Sequence, residues 1–213
     1  MNIFFLSINP KKCVKYYFNK HVVKMILEHV QMLSTAWHVL EPEEAEELYQ
    51  KGLICKKSHM NHPCNIWVRN HINNYKFLVL LTIELMKEWN FRYGHEKTHA
   101  TQEKLDFLKD NFPPSISMYK IKKTSSNPYG FTLPMFQAMP DDCKYKPDKE
   151  SVGACIKAYR RLYMSEHKEH IVEWYHKRPN LENGEKTDET KSDSTLVRKD
   201  ISPPWWWGEE YNE

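Results

Sequence analysis

The chain has 213 residues, of which 40% are hydrophobic, 28% charged and 13% aromatic. That balance excludes a mainly disordered chain and fits a globular one with a sizeable core. Lysine and arginine total 31 against 28 aspartate and glutamate, and a net charge of +3 is too mild to identify a nucleic-acid binder by itself.

Only six glycines are present, and the patterns G-x-G-x-x-G, G-x-x-x-x-G-K-[ST] and G-x-S-x-G are missing. This sets aside dinucleotide-binding, P-loop and α/β-hydrolase motifs. The five cysteines, Cys13, Cys55, Cys64, Cys143 and Cys155, are odd in number and scattered. They predict neither a disulfide framework nor a zinc ribbon, and a reducing compartment is expected. The apolar start, Met1 to Ile8, is too short for a signal peptide and has no basic lead. No apolar run nears the roughly 20 residues of a membrane helix.

Residues 2–8 read as a short buried strand or extended segment. Pro10 permits a helix start, and 11–18 can form two turns. Asn19 is placed as the N-cap of a long helix from Lys20 to about Leu40. Pro42 opens a short acidic helix over 43–51, which Gly52 closes. After a basic loop over 55–61, a second long helix is predicted from Pro63 to Arg92, stopped by Gly94. A further helix spans 98–109. Residues 112–150 form an irregular Pro-rich loop region in which Met118, Tyr119, Phe131, Leu133, Met135 and Phe136 need burial. Ser151 caps a last helical stretch to about Lys177, bent near Ser165. The fold class is mainly α: a single-domain helical bundle over 1–179 with a short N-terminal extended segment. Residues 180–200 are expected to be a disordered linker or insertion. Residues 201–213, with Trp205, Trp206 and Trp207, are expected to dock on the domain.

The first long helix is the most informative element. His21, Lys24, Glu28, Gln31, Thr35 and His38 recur at steps of three and four and fall in one line. Almost everything else on it is apolar, so a mostly buried helix with one thin polar seam is predicted. Buried charges must be paired. A solvated edge with a Lys24–Glu28 pair is the plainer account. A cleft in which His, Lys and Glu converge is the sharper one.

Other groups are less specific. His59, His62 and Cys64 superficially resemble metal ligands, but no second cluster completes them, so no metal is assigned. His62 reads as a capping or site residue and Cys64 as a buried thiol. Asn73 and Asn74 suit a hydrogen bond to a loop or to a ligand. Arg92 with Tyr93, and Arg160 and Arg161 between tyrosines, suit phosphate and base contacts or simple Arg–Tyr packing. Gln137 sits in a proline-boxed loop fit for ligand recognition or chain reversal.

The blocks K-H-V-V-K-M-I-L-E at 20–28, H-P-C-N-I-W at 62–67, Q-A-M-P-D at 137–141 and A-Y-R-R at 158–161 resemble an uncharacterised family of small helical proteins of tailed phages and large DNA viruses. The resemblance covers roughly residues 1–179 and the Pro-Pro-Trp end. It implies viral nucleotide or DNA metabolism in the host cytoplasm, or the nucleus of a eukaryotic host. A looser likeness is to helical domains accompanying thymine-hypermodification enzymes such as 5-hydroxymethyluracil DNA kinases. This chain has no P-loop, so such a kinase would be a separate partner enzyme.

Three functions follow. The first is an enzyme acting on a nucleotide or on a base in DNA, with His21, Lys24 and Glu28 catalytic and Gln31, His62, Asn73, Arg92, Gln137 and Arg160 binding substrate. The second is a non-catalytic helical module for DNA or a protein. The third is a DNA glycosylase-like base remover, placed last because no helix-hairpin-helix glycine turn is present. The sequence identifies no cofactor.

Overall fold

Two helices of 22 residues each, α2 (Asn19–Leu40) and α5 (Ile72–Tyr93), pack along one another and carry the core. The structure is a computed structural model that describes residues 1–94, 98–145 and 151–174. Around the central pair lie α1 (Pro10–Lys15), α3 (Pro42–Gln50), α4 (Pro63–Asn70) and α6 (Gln102–Asp110). A 3-10 turn (Asp141–Cys143), α7 (Val152–Met164) and the single turn α8 (Glu166–Glu169) follow. The predicted mainly helical class is the one observed. Among the described residues no helix is long and apolar enough to cross a membrane.

Residues 2–7 belong to no helix or strand, Ile8 lies in a bend, and the Leu6 N–H donates to the Phe4 carbonyl at 3.1 Å, so the segment turns once where a straight extended run was expected; Ile3, Phe4, Phe5 and Leu6 are buried in the core. Asn19 is not the cap of α2. Phe18 holds that position in extended backbone and offers no side-chain bond, while Asn19 is the first helical residue. Its Oδ1 accepts instead from Arg92.

The predicted helix from Pro63 to Arg92 is two helices. His71 breaks it with φ −160° and ψ 146°, and its Nδ1 accepts from the Asn73 backbone N–H at 3.1 Å to start α5. Its Nε2 meets the Tyr119 carbonyl at 2.8 Å. A buried side chain bonded at both ring nitrogens thus replaces a helical turn by a cap. Gly94 ends α5 in the left-handed region at φ 61°, as predicted for a C-terminal glycine.

In the loop region Phe131, Met135 and Phe136 are buried, but Met118, Tyr119 and Leu133 are more than half or half exposed, against expectation. The loop is held by side-chain bonds to its backbone rather than by burying every apolar residue. The Asn73 Nδ2 donates to the Gly130 carbonyl, and Asn74 exchanges bonds with both the backbone and hydroxyl of Thr132. The last helical stretch ends earlier than predicted. Ser151 caps α7 as expected, Ser165 interrupts it in extended backbone, and α8 stops at Glu169. The 180–200 tract and the three adjacent tryptophans lie outside the described residues.

Candidate active site

The N-terminal segment crosses the start of α2, and α8 closes the third side. Between them is a cavity of about 330 Å³. Its walls include Met1, His21, Lys24, Glu28 and Lys168. That volume lies at the small end for ligand sites, large enough for one small planar group.

Glu28 is the centre of its polar lining. One carboxylate oxygen, Oε2, lies 3.3 Å from the Met1 amine and accepts the Asn2 backbone N–H at 3.1 Å. The other, Oε1, lies 3.4 Å from the Lys24 Nζ. The carboxylate is largely covered while Lys24 reaches out to solvent. The expected i,i+4 pair therefore exists, and it stands at the rim of a cavity rather than on an open edge.

His21 forms the wall opposite. Its ring lies flat on Phe4, with centroids 4.0 Å apart and planes 18° apart. Its Nδ1 is 2.6 Å from the Tyr163 hydroxyl on α7. Burial, then the charges of Lys168 and Lys24, push the imidazole down to about 3, so it is neutral at physiological pH. Lys168 hangs over the Phe4 ring at 5.1 Å. Burial and the neighbouring Lys24 lower its pKa, and Glu28 opposes that shift.

The seam of α2 divides along its length. His21, Lys24 and Glu28 share the cavity. Further along, the Thr35 hydroxyl bonds the Ser58 backbone and His38 the Cys55 carbonyl, so that end fastens the loop over 55–61. Gln31 is half-buried and outside the cavity lining. The apolar remainder is less buried than predicted: Val23 and Leu27 flank Lys24 on the exposed side. His29 is fully buried on the opposite face, with Nδ1 3.3 Å from the Thr82 hydroxyl.

The remaining predicted binding residues do not join the cavity wall. His62 caps α4 through Nδ1, and burial, then the amino-terminal charge, lower its pKa. Asn73 holds the Gly130 carbonyl. Gln137 exchanges two bonds with the Tyr145 backbone, each 2.8 Å. The Arg160 Nε donates to the Leu6 carbonyl at 3.0 Å. Arg92 is fully buried, donating to Glu88, Asn19 and the carbonyls of Tyr17 and Lys15. It joins α5 to α1 and the start of α2.

Sequence reasoning missed the Met1 amine, Asn2 and Lys168. Asn2 is the hub of the cavity floor. Its Oδ1 accepts from the Tyr159 hydroxyl at 2.6 Å, and its Nδ2 donates to the Ala138 carbonyl at 2.8 Å. Nothing local marks these residues, because their partners lie far along the chain.

Chemically, the cavity offers a carboxylate among amines, a neutral imidazole and a flat aromatic face. Amines can attack an electrophilic carbon, and the carboxylate can take or return the proton. No curated protein and no solved structure matches the chain. Residues 1–101 match the family model described as pyrimidine dimer DNA glycosylase, a stretch that contains Met1, His21, Lys24 and Glu28 but ends before Gln137 and Lys168.

Proposed function

We propose that the chain is a DNA glycosylase that acts on a damaged pyrimidine, with Glu28 and a cavity amine carrying the reaction. The observation that carries this reading is the Glu28 carboxylate lying within 3.4 Å of two amines, inside the stretch matched to the glycosylase family. The base remover, placed last on the sequence, thereby becomes the leading account. The lack of a helix-hairpin-helix turn carries little weight once the site is built on a different element.

In this reading an amine of Met1, Lys24 or Lys168 attacks C1′ of the deoxyribose. The C1′–N bond breaks and its electron pair leaves with the base. Glu28 accepts the proton lost by the amine and returns it to the ring oxygen as the C1′–O4′ bond breaks, which gives a protonated imine, while the departing base takes its proton from water. A primary amine is required for that product, and a Lys or terminal amine supplies it. His21, neutral and packed on Phe4, fixes the wall. Lys20, Lys24 and Lys168 bring positive charge to the mouth, where a DNA phosphate backbone would lie.

The test is reductive trapping. A duplex bearing one pyrimidine dimer is incubated with the protein and borohydride, and products are resolved on a denaturing gel. A covalent adduct that forms on the damaged duplex and not on the undamaged one is expected. Mass spectrometry of the tryptic peptides then identifies which amine carries the sugar. Folded protein that neither cleaves the C1′–N bond at the dimer nor forms an adduct overturns the reading.

A further inference from the structure

On the face that carries the 3-10 turn, three chemically different ligand side chains converge: Asp142, Cys143 and His167. One ligand atom from each lies within 4.8 Å of the other two. Among the described residues they are the only group of three to do so, whereas His59, His62 and Cys64 do not gather. We infer that these three side chains bind a thiophilic divalent ion of the zinc type.

The donor set selects the ion. Calcium and magnesium take oxygen ligands, while a thiolate with an imidazole and a carboxylate suits zinc or cobalt. Around such an ion, bonds of roughly 2.0–2.3 Å place neighbouring ligand atoms about 3.3–3.7 Å apart. The His167 Nε2 and Asp142 Oδ2 are now 2.9 Å apart, in a direct hydrogen bond. That pair has to open slightly, and the most distant pair has to draw in by about 1 Å. Asp142 and His167 are exposed, so their side chains have room to make both adjustments.

The sulfur is placed differently. Cys143 is buried, and burial raises its pKa; a bond to Ser165 and the charge of Arg161 oppose that shift, while Asp142 adds to it. A buried thiol thus lies within reach of two exposed ligands, and a catalytic or open zinc site of three protein ligands takes water as its fourth. Arg161 is drawn to the backbone, donating to the Lys144 carbonyl at 3.3 Å. It favours the thiolate from the side.

The ligands come from two elements, the 3-10 turn and α8. An ion here would clip the short α8 to the body one residue before Lys168, which lines the cavity. The inference does not depend on the glycosylase reading, and its test uses no DNA.

The full chain, kept reduced with a phosphine, is titrated with Co²⁺ and followed by absorption. One equivalent should produce a thiolate-to-cobalt charge-transfer band with visible bands of a tetrahedral ion, and Zn²⁺ should displace it. Cys143→Ser should abolish the charge-transfer band. His167→Gln, at an exposed position that folding does not require, should weaken Co²⁺ binding at least tenfold. Cys55→Ser should leave the spectrum unchanged. No charge-transfer band in the parent chain, or a band that survives Cys143→Ser or is undiminished in His167→Gln, overturns the site.

Discussion

The Tyr163 hydroxyl lies 2.6 Å from the His21 Nδ1, a bond that joins α7 to the first turn of α2 beneath the candidate site. Phe18 stacks on the same tyrosine at 4.2 Å, so the hydroxyl is fixed in direction. Tyr163→Phe removes one buried bond without changing shape. It should lower stability by about 1–2 kcal/mol in urea denaturation, because the imidazole loses its only side-chain partner of that kind. No change in the midpoint would show that the pair contributes nothing net.

Glu28→Gln keeps the volume of the side chain and removes its charge. Cleavage of the C1′–N bond at the dimer should fall by about 10²-fold or more, the usual scale for loss of a proton-transfer group. The melting temperature should drop by only a few degrees. A collapse of the fold with turnover retained by the surviving protein would make Glu28 a structural ion-pair partner.

DNA affinity should decrease with salt. Each phosphate contact releases counterions, so the slope of log affinity against log salt counts them. Lys20→Gln, at the mouth of the cavity, should reduce that slope by about 1 when fluorescence anisotropy is measured at several salt concentrations. A slope unchanged by the substitution would place the DNA elsewhere on the surface.

Stability should depend on pH most strongly through His21 and His29, with His62 adding to the same trend. Burial pushes His29 down to about 3, and His21 reaches about 3 through burial, Lys168 and Lys24. An unfolded histidine protonates near pH 6.5. Between about 6.5 and 3 the unfolded chain therefore holds more protons, so stability is complete above about pH 6.5 and declines as the pH falls. The slope is on the order of 1 kcal/mol per pH unit for each group. His29 also has a buried Nε2 with no hydrogen-bond partner among the described residues. His29→Leu should roughly halve the loss of urea midpoint between about pH 7 and pH 5. An equal loss in both proteins would contradict the assignment.

Arg92 gives the sharpest structural prediction. Its guanidinium donates to Glu88 at 2.7 Å from a fully buried position. Arg92→Met leaves that carboxylate unpaired and should cost about 3–5 kcal/mol. Adding Glu88→Gln should recover part of the loss, as read from thermal unfolding. Lysine cannot reproduce the forked donation to Asn19 and the α1 carbonyls, so Arg92→Lys should also destabilise.

The helical class, the burial of the apolar N-terminal segment and most helix ends were legible in local signals: Pro10, Pro42 and Pro63 at starts, Gly94 at a stop. The three-and-four spacing also identified His21, Lys24 and Glu28 as neighbours, because helix geometry is set by the chain itself. The break at His71 was not legible, since it depends on a carbonyl from Tyr119. Arg92 looked like a phosphate contact because a charged side chain beside a tyrosine reads the same in either role. Only the carbonyls of α1, brought by tertiary packing, distinguish them. Lys168 escaped for the same reason, being on a helix whose place against Phe4 no local pattern encodes.

Asn2 has a consequence for how the protein is made. Its side chain is fixed by Tyr159 and Ala138, and the cavity above it is closed by Lys168. During synthesis the residues that carry Glu28 leave the ribosome long before these partners exist. The pocket is therefore assembled by contacts of very large sequence separation, the kind that forms late. A nascent chain halted after residue 101 would contain Met1, Lys24 and Glu28 and still lack the floor and the lid of their pocket, so the proposed glycosylase activity should begin only after translation has delivered α7 and α8.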